Sequence, residues 1–176
     1  VNPNNIKMWI DGSPTPPYFT QADFDDDSET PEWDRILFTQ QEINDSVLRF
    51  DKMDMKVKMH VAGAGAANAA LNAIQNARMK RAESNTKHEL AHTNLIKEAD
   101  IERARELNVV AEMSPAVWHL YGRTLGNPPH DAWEFKKIMD AGILMTIGTD
   151  WAVTDDPNLF PALEGMLKHG DNSIDL

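Results

Sequence analysis

Apolar residues in this chain fall in short runs, separated by stretches of helical periodicity, and each run stops at a turn signal. The first run, Ile6 to Ile10, breaks at Asp11-Gly12-Ser13, and the proline-rich PTPPYF just beyond forbids regular structure. From Thr39 the segment TQQEINDSVLRFDKM sets Ile43, Val47, Leu48 and Phe50 near one stripe, and Thr39 with Glu42 forms a capping box. A strand over Lys56 to Val61 follows, then GAGAANAALNAIQNARMKR, whose small residues suit a helix packed closely on a sheet. HELAHT, His88 to Thr93, predicts a short strand, and residues 97–107 a charged helix closed by Asn108. VVAEMSP predicts the next strand, with Pro115 closing it. VWHLYGRTLGNPPHDA is a loop, and WEFKKIMDAG is a helix ending at Gly142. ILMTIGTD is the last strand and PNLFPALEGMLKHG the last helix, opened by proline and closed by glycine.

Strand and helix thus alternate five times, the pattern of a parallel sheet with helical crossovers. Two α/β architectures fit: part of an eight-unit barrel, or a doubly wound five-stranded sheet. Residues 14–38 interrupt the alternation as a long acidic loop containing DFDDDSETPEWD, to be read either as a functional lid or mobile segment or as a solvated insertion.

Composition narrows the function. The 176 residues suffice for one domain with its own core, and 41% hydrophobic with 26% charged residues is globular. A net charge of -11 argues against nucleic acid or an anionic membrane as partner. No cysteine is present, which excludes disulfides and thiolate metal sites. No apolar run reaches the roughly 20 residues of a membrane span, and no signal peptide is visible, so a cytoplasmic location is expected; the expected partner is a small-molecule substrate.

Three of the apolar runs end in a residue able to hold a metal ion: His60 in KVKMHVAG, His92 in HELAHT and Asp150 in ILMTIGTD. A fourth, IKMWIDGS, carries Lys7 and Asp11. Ligands delivered from the ends of separate strands suit an open catalytic site rather than a closed structural one. Imidazole and carboxylate favour a divalent ion, Zn²⁺ foremost, as one ion or two. Such an ion generates hydroxide at neutral pH, with Asp150 as ligand and proton shuttle. Lys7 reads either as a salt-bridging ammonium or, on a buried strand, as a carbamate bridging two metals. Gly63, after His60, is where the backbone is expected to turn tightly. Trp118 and Tyr121 are candidates for walling a substrate pocket, or for plain packing; His119, His130 and His169 read as surface residues. HELAH also matches the H-E-x-x-H zinc motif, which needs His88 and His92 on one helical face with Glu89 as base.

With those residues in place, the chain resembles the amidohydrolase superfamily, specifically the amidohydrolase family 3 proteins that include YtcJ-like enzymes and N-substituted formamide deformylase. The matching pieces are IKMWIDGS, MHVAGAGAANAAL, RAESNTKHELAHTNLI, ELNVVAEMSP and AGILMTIGTDWAV followed by DDPNL, in the family's order and across nearly the whole chain. The resemblance implies a partial (β/α)8 TIM barrel, strands 4 to 8 with their helices, over residues 1–176. It implies His60 and His92 as the fifth- and sixth-strand ligands, Asp150 as the catalytic aspartate after the eighth, and Lys7 at the position of a bridging carboxylated lysine. It implies hydrolysis of an amide or N-formyl C–N bond. The family's His-x-His pair and the segment completing its small β-sandwich have no counterpart here, and Ala64 stands where members often carry an acid. The chain is therefore expected to be the C-terminal barrel portion of a larger hydrolase. The alternative is a truncated paralogue that keeps barrel packing without activity. An open half-barrel exposes sheet edges, which invites a homo-oligomer.

Overall fold

The computed structural model describes residues 4–14, 19–25, 28–117, 133–151, 153–169 and 173–174. Five strands form one sheet: β1 (Asn5–Trp9), β2 (Lys56–Val61), β3 (Glu89–His92), β4 (Val110–Met113) and β5 (Leu144–Ile147). The helices between and after them are α1 (Gln40–Asp51), α2 (Ala64–Lys80), α3 (Glu98–Glu106), α4 (Phe135–Asp140) and α5 (Phe160–Leu167). Every pair of neighbouring strands is parallel, and the sheet order is the chain order. That order rules out the doubly wound alternative, in which the strand order reverses at a switch point. It is the order of a (β/α) barrel segment.

The period-two alternation of each strand decides what the two faces do. Val57, Met59, Val61, Leu90, Ala111 and Met113 point to the helices and are buried. Against them α2 lays Ala66, Ala70, Ala73 and Ala77 with Leu71 and Ile74, the small side chains letting helix and sheet approach. The other face is charged: Lys58 Nζ lies 2.9 Å from Glu89 Oε1 and 3.4 Å from Glu112 Oε2, linking β2, β3 and β4. α1 begins at the expected capping box, in which Thr39 accepts from the Glu42 N–H and Glu42 accepts from the Thr39 N–H.

In its described part the acidic loop is anchored to the domain at several points. Ala22 is fully buried, Leu37 N donates to the Ile10 carbonyl at 2.8 Å, and Glu32 N to the Asp23 carbonyl at 2.9 Å. The loop also caps α2. Gly63 offers no side chain at that helix start, and Asp23 Oδ1 accepts from Ala64 N at 3.0 Å while the Ala22 carbonyl accepts from Ala66 N at 3.1 Å. This corrects the expected tight turn at Gly63. Its φ is an ordinary -93°, and glycine is needed because a Cβ there would overlap the Ala22 carbonyl.

Gly142 is different: its φ is +75° and nothing lies within 4 Å of where a Cβ would stand. Gly142→Ala should therefore cost backbone strain alone, about 1 kcal/mol in urea unfolding with the slope unchanged. A loss several times larger would show that the turn after α4 packs more tightly than this.

Candidate metal and substrate site

The carboxyl ends of the strands converge on a cleft of about 150 Å³ whose walls include Trp9, His60, His92, Asn94, Ser114 and Asp150. His60 ends the inner-face row of β2. Its ring stacks on Trp9, with centroids 4.1 Å apart, and Nε2 donates to the Gly12 carbonyl at 2.7 Å. That bond fixes the tautomer and leaves Nδ1 as a lone pair, which is buried without a partner. His92 meets His60 edge-on at 4.6 Å between centroids, and its Nδ1 is 3.0 Å from Ser114 Oγ. Burial, above all, lowers the pKa of both imidazoles. For His92 the neighbouring His60, Lys7 and Lys58 add to it and take the value to about 3. Both rings are thus neutral at pH 7, the form that binds a metal.

Three residues of this rim adopt a left-handed backbone: His92 at φ 74°, Thr93 at 43° and Asp150 at 52°. For a β-branched residue such as Thr93 this is an outlier, and such strain gathers at functional sites. It re-aims His92, which strict alternation would send to the helix side. Glu112 Oε2 accepts from the strained His92 N–H at 3.3 Å, and Thr93 Oγ1 donates to the Leu90 carbonyl at 3.1 Å. Asp150 is exposed on the rim. Its carbonyl accepts from Val153 N at 3.0 Å, and its carboxylate favours protonation of both Lys7 and His60.

Lys7 lies on the inner face of β1, in register with Lys58. The two lysines differ. Burial opposes charge on Lys58, yet Glu89 and Glu112 outweigh it and raise its pKa. For Lys7, burial and the Lys58 charge prevail over Glu112, Asp150 and Glu89, and the pKa falls. Asp11, the other ligand-type residue of its run, is occupied: fully buried, it accepts from Ala22 N at 3.0 Å, Ala62 N at 2.9 Å and Gly63 N at 2.8 Å. Its burial pushes the carboxyl up to about 6 against those three donors.

The structure brings His60, His92 and Asp150 to one cleft, as the sequence predicts, with Lys7 on the neighbouring strand. Among the described residues, no group of three or more His, Asp or Glu is placed to hold one ion. The fit to a metal rests on the two neutral imidazoles and the unpartnered Nδ1 of His60. Trp118 and Tyr121 lie outside the described residues, as do His119 and His130. The H-E-x-x-H alternative is overturned. HELAH is strand, not helix, so His88 and His92 stand about 13 Å apart along it. His88 is at the opposite end of the sheet, 3.1 Å from Asp51, and Glu89 is held by Lys58. Sequence reasoning missed Glu112, Ser114 and Asn94. A lone acid on the inner-face row of the apolar run VVAEM was the available signal for Glu112; Ser114 and Asn94 carried none.

The fold has solved counterparts. An uncharacterised metal-dependent hydrolase from Pyrococcus furiosus superposes with a TM-score of 0.73 at 18% identity, over 97% of this chain and 36% of its own. One from Pyrococcus horikoshii OT3 gives 0.71 at 14% identity, over 97% and 34%. A Xaa-Pro dipeptidase with bound methionine in its active site gives 0.61 at 14% identity, over 97% and 39%. The chain thus spans about a third of the length of the first two. No curated protein matches it. No helix among the described residues is long and apolar enough to cross a membrane. The sequence profile described as the amidohydrolase family covers residues 1–173, and with a barrel segment that gathers two neutral histidines and an aspartate at one rim, the chain belongs to that family.

Proposed function

We infer that this chain supplies strands four to eight of a YtcJ-like, metal-dependent amidohydrolase barrel that cleaves an amide or N-formyl C–N bond by hydrolysis. The observation that carries this reading is the His60 Nδ1 lone pair, buried, unpartnered and beside a second neutral imidazole. His60 through Nδ1 and His92 through Nε2 would hold a divalent ion, zinc by the chemistry of its donors, with Asp150 and a carboxylated Lys7 completing the set from this chain. When bound, the ion lowers the pKa of water from about 15.7 to about 7 and polarises the carbonyl.

The protein's own groups do the rest. Asp150 takes the proton from the attacking water and returns it to the leaving nitrogen. The Gly12 carbonyl holds His60 in its tautomer, and Ser114 orients the His92 ring. The Lys58 ammonium, paired with Glu89 and Glu112, lowers the charge of the barrel floor beneath the site.

Zinc titration against a competing chelator tests this. Ser114→Ala should weaken binding roughly 10-fold, as loss of an outer partner does, and His60→Gln or His92→Gln by more than the roughly 100-fold upper end of that range. His88→Gln should leave it unchanged. Absence of zinc binding in the parent, the outcome expected of a non-catalytic paralogue, sinks the reading.

A further inference from the structure

Asn94 follows His92 by two residues and forms part of the same cleft. It is 4% exposed, and its backbone carbonyl accepts from Trp133 N at 2.7 Å, which fixes its position. Its side chain is not so satisfied: Oδ1 is buried without a partner. A buried acceptor left unpaired is costly, and folded proteins keep few of them. Among the described residues, two such atoms belong to side chains that line the cleft, His60 Nδ1 and Asn94 Oδ1. The first, an imidazole nitrogen beside a second neutral imidazole, suits a cation. The second is a neutral acceptor, and it calls for an N–H or O–H from whatever enters the cleft.

We propose that Asn94 is a substrate-binding residue whose Oδ1 accepts the N–H of the amide to be cleaved, which makes the substrate class amides that keep an N–H. The inference rests on the hydrolase reading above. A secondary or primary amide, or an N-formyl amine, supplies the donor. A tertiary amide supplies none and leaves Oδ1 buried and unpaired in the complex. Sites built to bond a donor reject analogues that lack it, because the site's own polar group then stays unsatisfied. The bond also fixes the plane of the amide, and with it the face its carbonyl carbon presents.

The test is an NMR titration of the ¹⁵N-labelled chain with two probes, N-methylacetamide and N,N-dimethylacetamide, each with and without zinc. The expected result is a saturable shift of the Asn94 side-chain NH₂ signals with the secondary amide, and about fivefold weaker binding of the tertiary one, the worth of one hydrogen bond. Asn94→Leu should erase the preference while its backbone spectrum stays native elsewhere. Because the parent protein alone gives the preference, misfolding of the variant leaves the test intact. Equal affinity for the two probes, or no movement of the Asn94 signals with either, overturns the proposal. Zinc response of the His60 and His92 ring signals is read separately. Zinc binding without an Asn94 response rejects this inference and spares the metal reading, whereas an Asn94 response without zinc binding rejects the metal reading and with it the cleavage of the bound amide, leaving Asn94 as an amide-binding residue alone.

Discussion

Asp11→Ala lowers the stability of the domain by about 3–4 kcal/mol in urea unfolding, more than any ordinary surface change. The reason is a count of donors. Asp11 has no exposed surface and accepts three backbone N–H groups, from Ala22, Ala62 and Gly63. Alanine leaves all three buried without an acceptor, at about 1–3 kcal/mol each. Part of this is offset, because the carboxylate itself resists burial, as its pKa pushed up to about 6 shows. Asp11→Asn keeps one acceptor oxygen and turns an NH₂ group toward an N–H, so it should lose roughly half as much.

The effect reaches the site. Asp11 ties the acidic loop to the β2–α2 turn, and Gly12 beside it receives the His60 Nε2–H. Zinc affinity should fall with stability in the alanine variant. A loss under about 1 kcal/mol would mean that the three donors find other acceptors, and the clamp would not exist.

The fold was legible because its signals are local. Strand and helix alternation, the Thr39 capping box, Asn108 at φ 55° and Gly142 at φ 75° are each written in a few adjacent residues, and each appears in the structure. His60, His92 and Asp150 were legible for a related reason: in a parallel sheet the C-terminal end of every strand opens on one rim, so position in the run predicts position in space.

What the sequence hid depends on residues far apart along the chain. Asp23 caps a helix 41 residues later, and the Gly63 requirement comes from Ala22 pressing on it. Neither partner marks the other in sequence. HELAH misled for the opposite reason, since five letters carry no information on whether their period is that of a strand or a helix. The same short strand places His88 in a structural network at one end of the sheet and His92 in the site at the other.

That network yields the second large effect, a loss of stability on acidification. Asp51, at the end of α1, is fully buried and 2.7 Å from Ser84 Oγ, 3.0 Å from Arg81 Nη1, 3.1 Å from His88 Nε2 and 3.2 Å from Arg78 Nη1. Burial pushes its pKa up, but Ser84, His88, Arg78 and Arg81 together outweigh it, and the net direction is down. A carboxyl lowered in the folded state contributes stability above its unfolded pKa of about 3.9 and loses it as pH falls further. His88 acts earlier. Its Nδ1 accepts from Val57 N at 3.2 Å, so a proton there would set two N–H groups head to head. Burial first, and the Arg78 charge second, lower its pKa against the pull of Asp51. The unfolded state then binds the proton more tightly, and stability falls as pH drops below about 6.5.

Unfolding free energies measured in urea from pH 7.5 to pH 4 should therefore decline, and His88→Gln should make that decline shallower below pH 6.5 by up to about 1.4 kcal/mol per pH unit, the weight of one proton. Asp51→Ala should cost about 3–5 kcal/mol at pH 7, because it removes a buried acceptor shared by Arg78, Arg81, Ser84 and His88. If His88→Gln instead follows the parent curve through this range, His88 takes up its proton equally in the folded and unfolded states and carries no acid sensitivity.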